Sequence, residues 1–336
     1  MSKFKLIIGI DISKNTFDAS RLWSDTPGLI EHQVFEQTKS GLVSFVKWLK
    51  STGVEPQQTL LCMEHTGLYI HGLLEHLSRY DYVVWVEMPL RIKRSIGLQR
   101  GGDDKLSSKL IAQYAYRYQD ACKPWVAEDA VLLRLRQLIA QRDRMVRQVK
   151  ALEVPVGELK QCEQAVLAQE LEQIQRKTVS ALKTAIKEIE SRVAEIVKTN
   201  ASVQKKIDCV TSIKGISTQT AIHLYVYTKG FTAYENGKQL ASYCGVVPFE
   251  RRSGISVRHR PRVSRYANKD LKRLLHLCAM CAIRHDKELR SYYQRKVLEG
   301  KNKMSVVNAV RNKLIQRVFA VVRDERKWVE NYVYSC

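Results

Sequence analysis

The sequence predicts a three-part chain: an α/β domain over residues 1–126, a coiled-coil helical hairpin over 127–200 and a mainly helical, basic domain over 201–336. Three observations predict it. Short apolar runs closed by acids fill the first part, and apolar residues near a 3.5-residue spacing fill the second. The third part holds 27 basic against 10 acidic side chains, so it carries +17 of the formal net charge of +22. A hydrophobic fraction of 45% over 336 residues gives enough apolar material for two or three cores.

Taken in order, Lys5–Asp11 is an apolar run ending in an acid, and Thr16–Trp23 and His32–Thr38 read as two further strands of a meander. A first helix follows, and then Leu60–Glu64 gives a second acid-tipped strand. Three strands, a helix and an acid-tipped strand is the order of a ribonuclease H-like domain. Residues 69–80 read as a helix, 82–87 as a fifth strand, and 104–119 as a helix with Leu106, Leu110, Ile111 and Tyr114 on its apolar side. An acid closing a strand is, taken alone, an ordinary turn residue. Asp11 and Glu64 together can hold Mg²⁺, or Mn²⁺, against a phosphodiester, because Mg²⁺ binds through one or two carboxylates and keeps several waters. Asp104, at the start of its helix, faces the positive dipole end and is a candidate third ligand, while an N-cap by Asp103 or Asp104 is the plainer alternative.

The middle part opens near Glu128 with Leu135, Leu138, Met145, Val149 and Leu152, and Pro155 is expected to end that helix. Leu171, Ile174, Leu182, Ile186, Ile189, Val193 and Ile196 repeat the pattern after a short connection, which predicts an antiparallel pair used for assembly or simply for structure. The eight cysteines are scattered through apolar stretches and read as free thiols. Cys278 and Cys281 lack a second pair with zinc-ligand spacing. No run of about 18 apolar residues and no signal-peptide pattern is present, so a soluble, cytoplasmic protein without membrane partners is expected. The basic excess points to nucleic acid, with an anionic membrane surface as the weaker alternative.

In the last part, Lys214 and Gly215 form a glycine turn between helices whose N–H groups can hold a phosphate. The densest basic stretch, residues 249–265, places Arg251, Arg252, Arg258, Arg260, Arg262 and Arg265 around Ser253-Gly254. A serine hydroxyl is a weak nucleophile at its free pKa, and arginines stabilise the charge on a phosphorus under attack. From composition alone, a basic nucleic-acid-binding loop with an incidental serine accounts for the same residues.

The boxes Gly9–Lys14, Glu64–Tyr69, Ile213–Ser217, Leu240–Pro248 and Ser253-Gly254 resemble the transposases of the insertion sequence 110 family, which includes Piv-type DNA invertases. The resemblance runs from about residue 6 to about residue 320, in order and spacing. It implies a ribonuclease H-like (RuvC-like) domain with four acids, a coiled coil, and a C-terminal domain with an essential serine that forms a covalent phosphoserine with DNA. By position Asp11 and Glu64 match the first two acids, Asp104 the third, and Ser253 the serine. The resemblance also implies double-stranded DNA as substrate and, in many members, a structured non-coding guide RNA from the same element. Cutting two duplexes calls for several active sites, so a homodimer or homotetramer is expected.

One position departs from the family pattern. The fourth acid of the Asp-x-x-Asp spacing falls on Ser107, which cannot supply a carboxylate's charge, and Asp103 is the available substitute. Three further readings stand beside the recombinase: an invertase without a guide, a nuclease using only the acids, and a silent nucleic-acid-binding variant. The charge distribution generates a prediction for all of them. The logarithm of affinity for duplex DNA should fall linearly with the logarithm of salt, with a slope of several units, and residues from about 201 onward should account for most of it. A flat salt response in a filter-binding titration would contradict it.

Overall fold

The computed structural model describes residues 3–65, 67–96, 104–253, 257–264 and 266–329, with 96, 250–253 and 257–262 as backbone. The chain divides into two units, 1–127 and 128–336. In the first, β1 (Leu6–Ile12), β2 (Thr16–Trp23) and β3 (Ile30–Glu36) form an antiparallel meander, and α1 (Lys39–Lys50) leads to β4 (Thr59–Glu64), parallel to β1. Then come α2 (Ile70–Leu77), β5 (Val83–Glu87), α3 (Pro89–Ile96) and α4 (Asp104–Arg117). The sheet order β3-β2-β1-β4-β5 is that of a ribonuclease H-like fold.

Strand alternation divides the side chains between two faces. Leu6, Ile8, Ile10, Leu61 and Met63 pack with α1 and α2, where Phe17, Phe35 and Phe45 form an aromatic cluster. Ile7, Leu60, Cys62 and Trp85 pack on the other face with Ile92, Ile111 and Tyr114. Gly9 lies on that second face, and a Cβ there would come 2.1 Å from the carbonyl oxygen of Ser108 and 2.2 Å from the amide nitrogen of Ala112. Its missing side chain lets the backbone of α4 sit directly on β1. Ser20 of β2 and Ser108, both fully buried, close the contact with a 2.8 Å hydrogen bond.

The second unit begins with α5 (Ala130–Gln161), capped by Asp129, and the antiparallel α6 (Ala165–Thr199). Their proximal halves share one core with α7 (Ala201–Thr211), α8 (Thr218–Tyr227), α9 (Gly237–Tyr243), α10 (Lys269–His285), α11 (Lys287–Leu298) and α12 (Lys303–Arg323). Arg142 of α5 pairs with Glu190 of α6 at 2.7 Å, and Asp143 accepts from the fully buried His223 of α8 at 3.0 Å. Among the described residues no helix is long and apolar enough to cross a membrane.

The structure corrects two expectations and adds an element. Pro155 does not end α5, which continues to Gln161. An interior proline is costly to a helix, yet α5 continues along α6, where Val156 is buried and Lys183 pairs with Glu153 and Lys160 with Glu172, each at 2.6 Å. The serine stretch, expected as a loop, is a two-stranded hairpin of β6 (Phe249–Ser253) and β7 (Val257–Arg262). Helix α3 follows β5 without a counterpart in the sequence reading, because its run of Arg91, Lys93 and Arg94 masks the buried Ile92.

Gly9→Ala should destabilise the protein by about 3 kcal/mol, because the added methyl meets backbone, which cannot rotate away. Denaturant unfolding measures it, and a neutral effect would contradict the close approach of α4.

Candidate metal centre and basic hairpin

Strand register sets four carboxylates in a row along one sheet edge. Asp18 of β2 lies directly opposite Asp11 of β1, Glu64 follows the registered pair Ile10 and Met63 between β1 and β4, and Glu87 of β5 lies opposite Glu64. All four belong to the face that α4 covers. The outer two are satisfied by neighbours. Buried Asp18 accepts from His32 Nε2 at 2.6 Å, and buried Glu87 accepts from the Met88 amide at 2.7 Å, the Tyr114 hydroxyl at 3.1 Å and Arg91 at 3.4 Å.

The central pair, half-buried, has no such cation at contact distance among the described residues. Burial chiefly raises the Asp11 carboxyl above its usual range. The charge of Asp104 adds to this, the hydroxyl of Ser107 donates a hydrogen bond that opposes it, and Asp18 adds again. Glu64 is raised by burial first and Asp11 second, with Lys93 of α3 opposing. The proposed ligand positions Asp104 and Ser107, one helical turn apart on α4, therefore both act on Asp11. Asp103 lies outside the described residues.

These residues offer hard oxygen donors that repel one another, the arrangement a divalent cation relieves. Among the described residues no three acids, histidines or cysteines form a ready-made cage. An ion that keeps its waters needs only one or two direct carboxylates, so Asp11 and Glu64 fit it, and Asp104 and Ser107 would support it from beside Asp11. Asp18 and Glu87 were missed in the sequence. Glu87 carries the same signal as Glu64, an acid closing an apolar run. Asp18 became visible only through the β1–β2 register.

Ser253 lies at the end of the hairpin, opposite Val257, in the last registered pair before residues 254–256, which lie outside the described set. Arg252 is directly opposite Arg258 and Arg251 opposite His259, while Arg262 pairs with Phe249 at the base and Arg260 lies between. Like charges at facing positions destabilise a hairpin unless an anion intervenes. Arg265 lies outside the described residues. Lys214 is exposed. Gly215 has φ of +95°, and a Cβ there would lie 2.8 Å from the Cys278 carbonyl oxygen and the Ala282 methyl, so packing on α10 already requires a glycine.

A ribonuclease H-like domain in one chain with a strongly basic domain fits a protein that acts on nucleic acid, and comparison with known proteins narrows the class to transposases. Residues 8–156 match the DEDD transposase model of IS110 elements, and residues 207–294 match the transposase IS116/IS110/IS902 family. The chain belongs to the IS110 family of transposases. It is 24% identical over 326 residues to the pilin gene-inverting proteins of Moraxella lacunata and Moraxella bovis, covering 96% of this chain and 97% of theirs. It is also 32% identical over 115 residues, 34% of this chain and 28% of the other, to an uncharacterized 43.6 kDa protein of insertion element IS110 from Streptomyces coelicolor. Among solved structures, Thermus thermophilus RuvC in complex with a Holliday junction substrate is 11% identical, with a TM-score of 0.29 over 36% of this chain and 99% of that one.

The raised carboxyls give a signed prediction. A carboxylate whose folded pKa is raised costs no stability below its unfolded value, near pH 4, and costs stability fully above its folded value. Asp11→Asn and Glu64→Gln should therefore each raise the unfolding midpoint at pH 7, in chelator, by about 2 °C or more, and the gain should vanish near pH 3. Calorimetry across that range decides it, and a loss of stability at pH 7 would contradict the repulsion.

Proposed function

We propose that this transposase cuts and rejoins double-stranded DNA through Ser253, with Mg²⁺ or Mn²⁺ held by Asp11 and Glu64 and supported by Asp104. The observation that carries the reading is the central carboxylate pair, which has no contacting cation among the described residues while both neighbours in the row accept hydrogen bonds from side chains beside them. A bound Mg²⁺ supplies Lewis-acid stabilisation of charge developing on phosphate oxygens. Ser107 orients Asp11 through its hydroxyl, and Glu87 holds α3 and α4 to the sheet edge through Arg91 and Tyr114.

In the second unit, the Ser253 oxygen forms a bond to phosphorus and one bridging oxygen of the DNA strand departs. The serine hydroxyl proton is released and the departing oxygen takes up a proton. Reversal with a different strand end rejoins the DNA. Arg251, Arg252, Arg258, Arg260, Arg262 and Arg265 stabilise the phosphate charge, and Lys214 adds a backbone contact. The assembly is a homodimer or homotetramer, guided by a structured non-coding RNA that selects the DNA. The near full-length similarity to pilin gene-inverting proteins favours a second reading, site-specific inversion without a guide. Sequencing the nucleic acid that co-purifies separates the two, since only the guided enzyme should retain one defined RNA.

Ser253→Ala should abolish a covalent protein–DNA adduct and strand exchange while changing DNA affinity by less than about twofold, because one oxygen is lost and no charge. Adduct trapping on denaturing gels reads it. Strand exchange retained by the alanine variant would sink the nucleophile, and Ser107→Ala, by contrast, should only weaken the metal dependence.

A further inference from the structure

Two arginines of α12 are equally buried, each 6% exposed, yet they have opposite surroundings. Arg317 donates to Asp286 and Glu288, each at 2.6 Å. Arg311 has no carboxylate partner among the described residues. Its Nη2 donates to His276 Nδ1 at 2.6 Å, its Nη1 reaches Asn308 Oδ1 at only 3.4 Å, and its buried Nε has no acceptor. A guanidinium stays charged in proteins, so Arg311 is a buried cation without a counter-anion. Such a group is costly to the fold, and the same helix shows at Arg317 how the cost is ordinarily met.

The surroundings point to what would complete it. Because His276 accepts at Nδ1, its ring is neutral and carries its proton on Nε2, a second donor beside the guanidinium. Asn308 donates to the Val246 carbonyl at 2.5 Å, within the turn that feeds β6. Lys272, one helical turn before His276 on α10, runs along the same turn, where a Cβ on Gly245 would lie 3.6 Å from its Cδ. Arg311 and His276 thus sit together, Asn308 ties their helix α12 to the segment leading into the hairpin that ends in Ser253, and Lys272 lies against that same segment.

We propose that Arg311, with His276 and Lys272, forms an anion site that takes a backbone phosphate of the nucleic acid engaged by the β6–β7 hairpin. It rests on the reading of that hairpin as a nucleic-acid contact. The planar guanidinium suits a phosphodiester, whose two free oxygens can accept from its fork. A carboxylate at this place would have stabilised the free protein and repelled the strand.

The test compares full-length wild type with Arg311→Met and Arg317→Met. In phosphate against chloride at equal ionic strength, the wild-type unfolding midpoint should rise by about 2 °C or more, and that of Arg311→Met should not respond. In chloride, Arg311→Met should unfold at or above the wild-type temperature, whereas Arg317→Met, which leaves Asp286 buried and unpaired, should unfold below it. Affinity of Arg311→Met should drop about tenfold, with the salt slope reduced by about 1, for duplex DNA or for single-stranded RNA, and the arm that loses more identifies the source of the phosphate. Should the methionine variant not fold, Arg311→Lys keeps the charge without the fork, and its response to phosphate should shrink. Arg311→Met that is as unstable as Arg317→Met and binds both nucleic acids with wild-type affinity and slope overturns the proposal, as does a wild-type chain indifferent to phosphate. A wild type that binds neither DNA nor RNA in a salt-dependent way defeats the reading of the hairpin itself, whereas intact binding that ignores Arg311 defeats only this site.

Discussion

Two carboxylates held side by side, without a contacting cation among the described residues, are the constraint around which the first unit is arranged. Sheet register alone puts Asp11 and Glu64 on adjacent strand ends, and helix α4 then brings Asp104 and Ser107 against Asp11. That approach depends on Gly9, because any side chain there would meet the α4 backbone. The flanking acids show that this edge can supply a carboxylate with hydrogen-bond partners, as His32 does for Asp18 and Arg91 with Tyr114 for Glu87. Leaving the central pair alone concentrates negative potential at one place, and a hard divalent cation is the group that such a place selects.

The second unit solves the opposite electrostatic problem. It gathers most of the chain's positive charge, and within its core one buried arginine is fully paired while another is not. The hairpin carrying Ser253 adds arginines at facing register positions. Both features are unfavourable in the isolated protein and become favourable against a polyanion, which links the stability of this unit to its ligand. Helices α5 and α6 root in the same core, with Asp143 and His223 at the junction, so the helical hairpin is built into the basic unit.

Much of the fold was legible because its signals are local. Apolar runs closed by acids located β1, β4 and β5, and the 3.5-residue spacing located α5 and α6. Elements set by tertiary contacts were not legible in this way. Pro155 reads as a helix end until the ion pairs and Val156 across the helical hairpin are known, and the arginine-rich strands β6 and β7 do not look like strands by propensity. The site followed the same division. Asp11, Glu64 and Asp104 announce themselves at element ends, whereas Asp18 depends on strand register and the surroundings of Arg311 depend on two helices and a turn.

The central claim is that the unpaired acids bind a divalent cation, and titrating Mn²⁺ or Mg²⁺ into the chelated protein while following thermal unfolding tests it most directly. Ligand at about 100 times its dissociation constant stabilises by about 2.7 kcal/mol, so the wild-type midpoint should rise by several degrees. Ser107→Asp, which adds a carboxylate beside Asp11, should saturate at lower metal concentration, and Asp11→Asn should abolish the response. A wild-type midpoint that ignores both ions, or one that rises equally in Asp11→Asn, would contradict the account.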